Sequence, residues 1–424
     1  MPLWLIPMVY TIASVAAGLI LPRLEYAYFP EYTHGMSVAA ATAFFSAVSS
    51  GMLALTAIVF AIAFVVVQFS AVAYSPRLVV EFSSSPTMFH SLGVFFATFA
   101  YALVALAWTD RGGSGTVPLF STTLVGVLLI ISMVAFARLI QSLDGLQLHN
   151  VLEVIGARGR SAIDAMFPDI VDSGNVEPAA EISTAQMRPA TQTVIYTDQP
   201  LVLNGLDFAA LVRLAADADA MIAIEWGIGE TLLEHSVLLR VHGANQRLPE
   251  RELTQAIHLS SARHFEQDPK YAIRLLVDIA IRALSPAIND PTTAVQALDQ
   301  IEGLLRRLGR RRLDAGYRKD ASGAVRVTFP VPTWQDYLGL AFDEIRQFGI
   351  TSVQVNRRLR AALIGLADTI DIADRRLAVQ LYLDHLEQGI EQSTFDEIDQ
   401  AAALQQDRQG LGLTRHQQQS RRPE

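Results

Sequence analysis

Residues 283 to 294 read ALSPAINDPTTA, a cluster of polar and turn-forming residues in a chain otherwise rich in apolar residues and arginine. Just before it, Arg274, Asp278 and Arg282 stand at helical i, i+4 and i+8, a ladder of alternating charge on one face. Two chemistries fit these residue types. A helix beginning at Asp290-Pro291 presents backbone N–H groups, with Thr292 and Thr293, to a small anion, and Arg274 or Arg282 supplies the counter-charge. Alternatively, Asp278, Asn289 and Asp290 offer the hard oxygens that a divalent cation such as Mg²⁺ or Ca²⁺ takes. The same residues also serve a plain helix–turn–helix. Asp290 is an N-cap, Pro291 suits the first helical position, Asn289 tolerates a left-handed turn, and Ser285 can bond the end of the preceding helix. Both uses stay open from the sequence.

A second group lies far upstream. Thr42, Ser46, Ser49 and Thr56 follow one another at spacings of 4, 3 and 7, so they share a helical face inside a long uncharged run. Hydroxyl and small residues on such a face let membrane helices pack closely. Several copies of the same face could instead line a pore, which makes these four the candidate pore-lining residues.

Other chemistries are excluded or unsupported. With no cysteine, disulfides, thiolate metal sites and cysteine nucleophiles are ruled out. The nine histidines are scattered, and no hydrolase elbow, Walker-type loop or dinucleotide fingerprint occurs. His258 and His264 are expected on an amphipathic helix. Only Lys270 and Lys319 could supply lysine chemistry. The net charge is −9 with both signs mixed, which gives no support for nucleic-acid binding. The expectation is therefore a non-enzyme without cofactor or bound structural metal.

The elements that position these groups divide sharply. Hydrophobic residues make up 51% of the 424 residues and mean hydropathy is +0.29. From Met1 to Ser142 only Arg23, Glu25, Glu31, Arg77, Glu81, Asp110, Arg111 and Arg138 carry charge. Residues 1–142 read as a transmembrane domain with spans near 3–21, 37–73, 88–108 and 116–140, each long enough for a hydrocarbon core of about 30 Å. Arg77, Arg138, Arg158 and Arg160 flank one side, against Arg23 and Arg111 on the other. The positive-inside rule then puts both termini and the soluble part in the cytoplasm. Tyr26, Tyr28, Phe29, Tyr32 and Trp108 fit an aromatic belt on the outer face.

Beyond the membrane, 143–192 reads as a helical extension followed by a linker. Residues 193–250 hold short strands around the helix FAALVRLAADA, a small β domain of sandwich or barrel type. The layout is similar to the hammerhead of lipoyl- and biotinyl-type carriers, but such carriers need a hairpin-tip lysine and none occurs before residue 270. Residues 251–407 read as a helical cytoplasmic domain. In it Asp268-Pro269 opens one helix, Asp290-Pro291 the next, and Thr333 with Asp336 a third. Residues 408–424 read as a disordered tail.

Three stretches, RLLVDIAIRALSPAINDPTTAVQALDQI, SSGMLALTAIVFAIAFVVVQFSAVAYSPRL and PTWQDYLGLAFDEIRQFG, resemble in type and order the bacterial membrane-protein family called domain of unknown function 2254. That resemblance implies a four-span inner-membrane protein with a cytoplasmic domain and implies no activity. The expected fold class is membrane α+β: four transmembrane helices, then a small β domain and a helical bundle. A homo-oligomer is expected, with the lipid bilayer as its other partner and the long second helix in a central position. Two functions follow: a homo-oligomeric channel or pore for ions or small solutes, or a membrane-anchored sensor or scaffold whose ligand or partner binds near SPAINDPTT.

Overall fold

The structure, a computed structural model, describes residues 4–28, 36–73, 86–109, 117, 119–144, 148–169 and 188–412. The expected roles of Phe29, Tyr32, Arg77, Arg111, most of the linker and the end of the tail lie outside the described residues, as does the side chain of Tyr26. The chain divides into two compact units, residues 1–151 and 152–424.

Among the described residues, four helices of the first unit are long and apolar enough to cross a membrane: α1 (Leu5–Tyr28), α2 (Val38–Ala73), α3 (Pro86–Leu106) and α4 (Leu119–Asp144). A lipid-exposed run of this length has no water to satisfy its peptide groups, and the helix is the form that pairs them within the segment. α1 passes through Pro22 instead of ending at Leu21, and so carries Glu25 into the bundle. The centre is held by α3, 56% of whose span is buried, against 28% for α2 and 17% for α4. α1, α2 and α4 pack around it, over a core that includes Phe45, Met52, Phe95, Tyr101 and Val125. Within the single chain, then, the short third span is central.

Helix contacts in this unit rely on small and hydroxyl residues. A Cβ on Gly18 would meet Val104 at 3.0 Å, and one on Gly93 would meet Tyr10 at 3.0 Å. Ser14 Oγ donates to the Ala97 carbonyl at 2.5 Å, and Thr98 and Ser132 share a bond of 2.9 Å. At the far end of α1 the Glu25 carboxylate, 3% exposed, accepts from the backbone N–H of Phe120 at 2.8 Å and of Ser121 at 3.4 Å. It caps the start of α4, where an acidic group also complements the helix dipole. Trp108 is largely buried, under the Arg23 guanidinium at 5.3 Å.

Helix α5 (Leu148–Met166) follows, and then two sheets built from β1 (Ala190–Ile195), β2 (Leu201–Leu206), β3 (Met221–Ile224), β4 (Thr231–Leu232), β5 (Val237–His242), β6 (Ile257–Ser260), β7 (Tyr317–Lys319) and β8 (Val325–Thr328). The five-stranded sheet runs β1-β5-β3-β8-β7, with β3 and β8 parallel; the three-stranded sheet runs β4-β2-β6. The β region is therefore not closed within 193–250: β6, β7 and β8 complete it from the later part of the chain. His258 lies on β6 and His264 in the loop after it, both exposed, so the amphipathic helix expected there is absent. β6 gains its ladder from β2, a partner more than fifty residues upstream, and that pairing outweighs local helical periodicity.

The helices of this unit are α6 (Phe208–Asp217), α7 (Glu250–Gln255), α8 (Pro269–Ala283), α9 (Pro291–Leu308), α10 (Trp334–Gly349), α11 (Val353–Thr369), α12 (Ala373–Glu391) and α13 (Glu397–Ala403). The expected caps form: Asp268 accepts from Tyr271 N, Asp290 from Thr293 N, and Thr333 with Asp336 makes a full capping box. Ile273, Leu276, Val277 and Ala280 of α8 and Val295, Leu298, Ile301 and Leu305 of α9 are buried, as their spacing predicts. After α13 the chain is not free from residue 408. Asp407 accepts from the backbone of Gln409 and Gly412, and Gly410 at φ +71° packs beside Gln354.

Candidate functional site

The two ends of α8 carry different polar clusters, separated by about 22 Å at the usual helical rise. The C-terminal cluster is the SPAINDPTT turn. Ser285 Oγ donates to the Arg282 carbonyl at 2.7 Å, and Asn289 takes a left-handed conformation at φ +51°. Both oxygens of Asp290 are engaged within the first turn of α9, by Thr293 N at 3.1 Å and Thr293 Oγ1 at 2.6 Å. Thr292 is exposed. Arg274 does not reach the turn. Its guanidinium bonds Asp278 at 2.7 Å and Glu344 of α10 at 2.5 and 2.9 Å, so it fastens α8 to α10. Asp278 is committed to that pair, and no group of three acidic or histidine side chains among the described residues gathers to hold a metal ion. The turn's hydrogen bonds are those of a capped helical hairpin.

The N-terminal cluster was not signalled as a site by the sequence. Asp268, 1% exposed, caps α8 and accepts from Arg263 Nε at 2.9 Å and Nη2 at 2.5 Å. Burial pushes its carboxyl above the usual range, opposed by the Arg263 charge and hydrogen bonds. Arg263 also lies over the Tyr271 ring at 5.3 Å. Gly229 passes directly against this pair at φ +89°, and a Cβ there would collide with Asp268 Oδ2 and Arg263 Nη2. Gln267 pins the approach: Oε1 accepts from Leu206 N at 3.0 Å and Nε2 donates to Leu206 O at 3.3 Å, so the side chain pairs with the end of β2.

Next to Asp268 is a cavity of about 20 Å³, lined by Ile228, Gln267, Asp268, Lys270, Pro330–Pro332 and Tyr337, among others. That is room for about one water-sized group. Tyr337, 1% exposed, belongs to the first turn of α10, and its hydroxyl has no hydrogen-bond partner. Burial first, and then the carboxylates of Asp268 and Asp336, raise its pKa, so it stays an O–H donor. An unsatisfied buried donor costs about 1–3 kcal/mol. The parts of the cluster come from positions 206 to 337, so no local motif announces it. The Asp268-Pro269 cap was legible; its burial beside Tyr337 was not.

In the membrane unit the hydroxyl stripe divides. Ser49 and Thr56 are buried, and Thr56 Oγ1 bonds its own helix at Met52 O, 2.7 Å; Thr42 and Ser46 remain exposed.

Four apolar spans joined to a water-facing α+β unit define an integral membrane protein. Residues 1–364 match the family described as predicted membrane protein (DUF2254), and the chain belongs to that family. It is similar to an uncharacterized protein of Mycobacterium bovis and one of Mycobacterium tuberculosis, each 24% identical over 406 residues, covering 93% of this chain and 75% of the relative. No solved structure matches.

Proposed function

We propose that this protein is a bacterial inner-membrane receptor whose second unit, on the cytoplasmic side, binds a small ligand at the N-terminal end of α8. The partnerless Tyr337 hydroxyl beside a cavity carries this reading. A tyrosine donor calls for an acceptor atom, and the space admits one water-sized group, so the ligand inserts a single oxygen and keeps its remainder at the mouth. Lys270 on the lining offsets Asp268, itself paired with Arg263, so an oxygen of a carboxylate or phosphate is admitted. The site thus moves from the SPAINDPTT turn, where the groups are satisfied, to the other end of the same helix. The excess of arginine beside the second and fourth spans supports the cytoplasmic placement.

The test is thermal unfolding of the purified full chain with acetate or inorganic phosphate added. Wild type is expected to gain stability and Tyr337→Phe to gain none. Without ligand, Tyr337→Phe is expected to be at least as stable as wild type, because it deletes an unsatisfied donor. Equal responses of both proteins to both anions would sink the reading.

A second reading, a pore between copies, draws on one observation: Thr42 and Ser46 stay on the uncovered side of α2. The mass of the complex in lipid nanodiscs tests it. Three or more copies are needed for a shared central path, and a monomer or dimer removes it.

A further inference from the structure

We propose that the groove between the end of α1 and the start of α4 is a binding site for one acyl chain of a membrane lipid. The groove holds about 500 Å³, within the usual range for small-molecule sites, and is lined by Leu21, Leu24, Glu25, Phe120, Thr123 and Val127, with Leu124. Both helices are candidate spans, so the groove opens toward hydrocarbon. Its lining asks nothing polar of a ligand. Both Glu25 oxygens are taken by the α4 N-terminus, and Thr123 Oγ1 donates to Leu119 O at 3.0 Å. A polar solute would lose its hydration there without replacement, whereas an acyl chain has none to lose. A helix of a second copy is the competing occupant. The groove spans only residues 120–127 of α4, about 10 Å of rise, whereas a packed helix needs a continuous strip along most of its length. Between hydrocarbon and an apolar wall there is no hydrophobic drive, so the preference comes from dispersion contacts that a concave wall makes and a convex helix does not.

The chain has no cysteine, so single reporters can be placed in the full protein. A fluorophore on Val127→Cys, in phosphatidylcholine nanodiscs with nitroxide-labelled acyl chains, should be quenched at a lower labelled fraction than one on Ile20→Cys. Ile20 is as exposed as Val127 but does not line the groove. Adding Leu24→Trp should fill the groove, and the excess quenching should be lost. Equal quenching at the two positions, or excess quenching unaffected by Leu24→Trp, would overturn the proposal. Disulfide-linked dimers through Val127→Cys would overturn it in favour of a second copy.

Discussion

Arg274 on α8 holds Glu344 on α10 through two parallel hydrogen bonds, Nη1 to Oε1 at 2.5 Å and Nη2 to Oε2 at 2.9 Å, while its Nε holds Asp278 on its own helix. The fork geometry is what a guanidinium supplies and an ammonium does not. The arginine that looked like a ligand-binding charge is therefore a strut between two helices.

A pH dependence follows from this strut. Its hydrogen bond to Arg274 lowers the Glu344 pKa from 4.5. A depressed carboxylate adds stability that is fully present above its unfolded pKa and is lost as pH falls through the folded one. Glu344 is partly exposed, so screening keeps the contribution within roughly 0.2–1 kcal/mol. Denaturant titrations of Arg274→Ala between pH 7 and pH 3 should show a shallower acid limb than wild type. Parallel limbs would mean that the pair contributes nothing.

Asp268 works with the opposite sign. Its pKa is raised by burial from 3.8, so its contribution is favourable at low pH and declines as pH rises from 3.8 through the folded value. Asp268→Asn removes that titration but retains an acceptor for Arg263. The stability of wild type minus that of Asp268→Asn should fall with rising pH and then level off. Asp268→Ala leaves Arg263, a quarter exposed, without its carboxylate and the start of α8 without its cap, and should cost more than the roughly 1 kcal/mol of a cap alone.

The SPAINDPTT turn predicts a graded series. Asp290→Ala should cost about 1 kcal/mol through the lost cap. Asn289→Gly should be near neutral at φ +51°, whereas Asn289→Val places a β-branched residue in the left-handed region and should destabilise. If Asn289→Val unfolds at the same denaturant concentration as wild type, the turn conformation is not as described.

Gly229 gives the sharpest substitution test of the Asp268 centre. Alanine there meets both a positive φ and a collision with the Arg263–Asp268 pair. The loss should exceed about 1 kcal/mol and appear as a lower unfolding midpoint, followed by the fluorescence of Trp226 and Trp334. Gly323 is a fair control. It has a similar φ of +86° and open space where a Cβ would sit, so Gly323→Ala carries the backbone strain alone.

The sequence by itself determined the spans, the helix caps and the buried faces of α8 and α9. Each is a local matter: a run of about 20 apolar residues has one stable form in hydrocarbon, and a cap closes within three residues of itself. The first span expected at 3–21 stops short of the helix, which runs on to Tyr28 and lets the Glu25 carboxylate accept from the N–H groups of α4. Tertiary structure alone decided that α3 is the centre of its bundle, that β6 pairs with β2 and β8 with β3, and that Ser49 and Thr56 turn inward while Thr42 and Ser46 do not. It also decided that Asp268, Arg263, Gly229 and Tyr337 meet. These outcomes depend on groups far apart in the chain desolvating one another, and neither periodicity nor capping preference encodes which distant partner will remove the water.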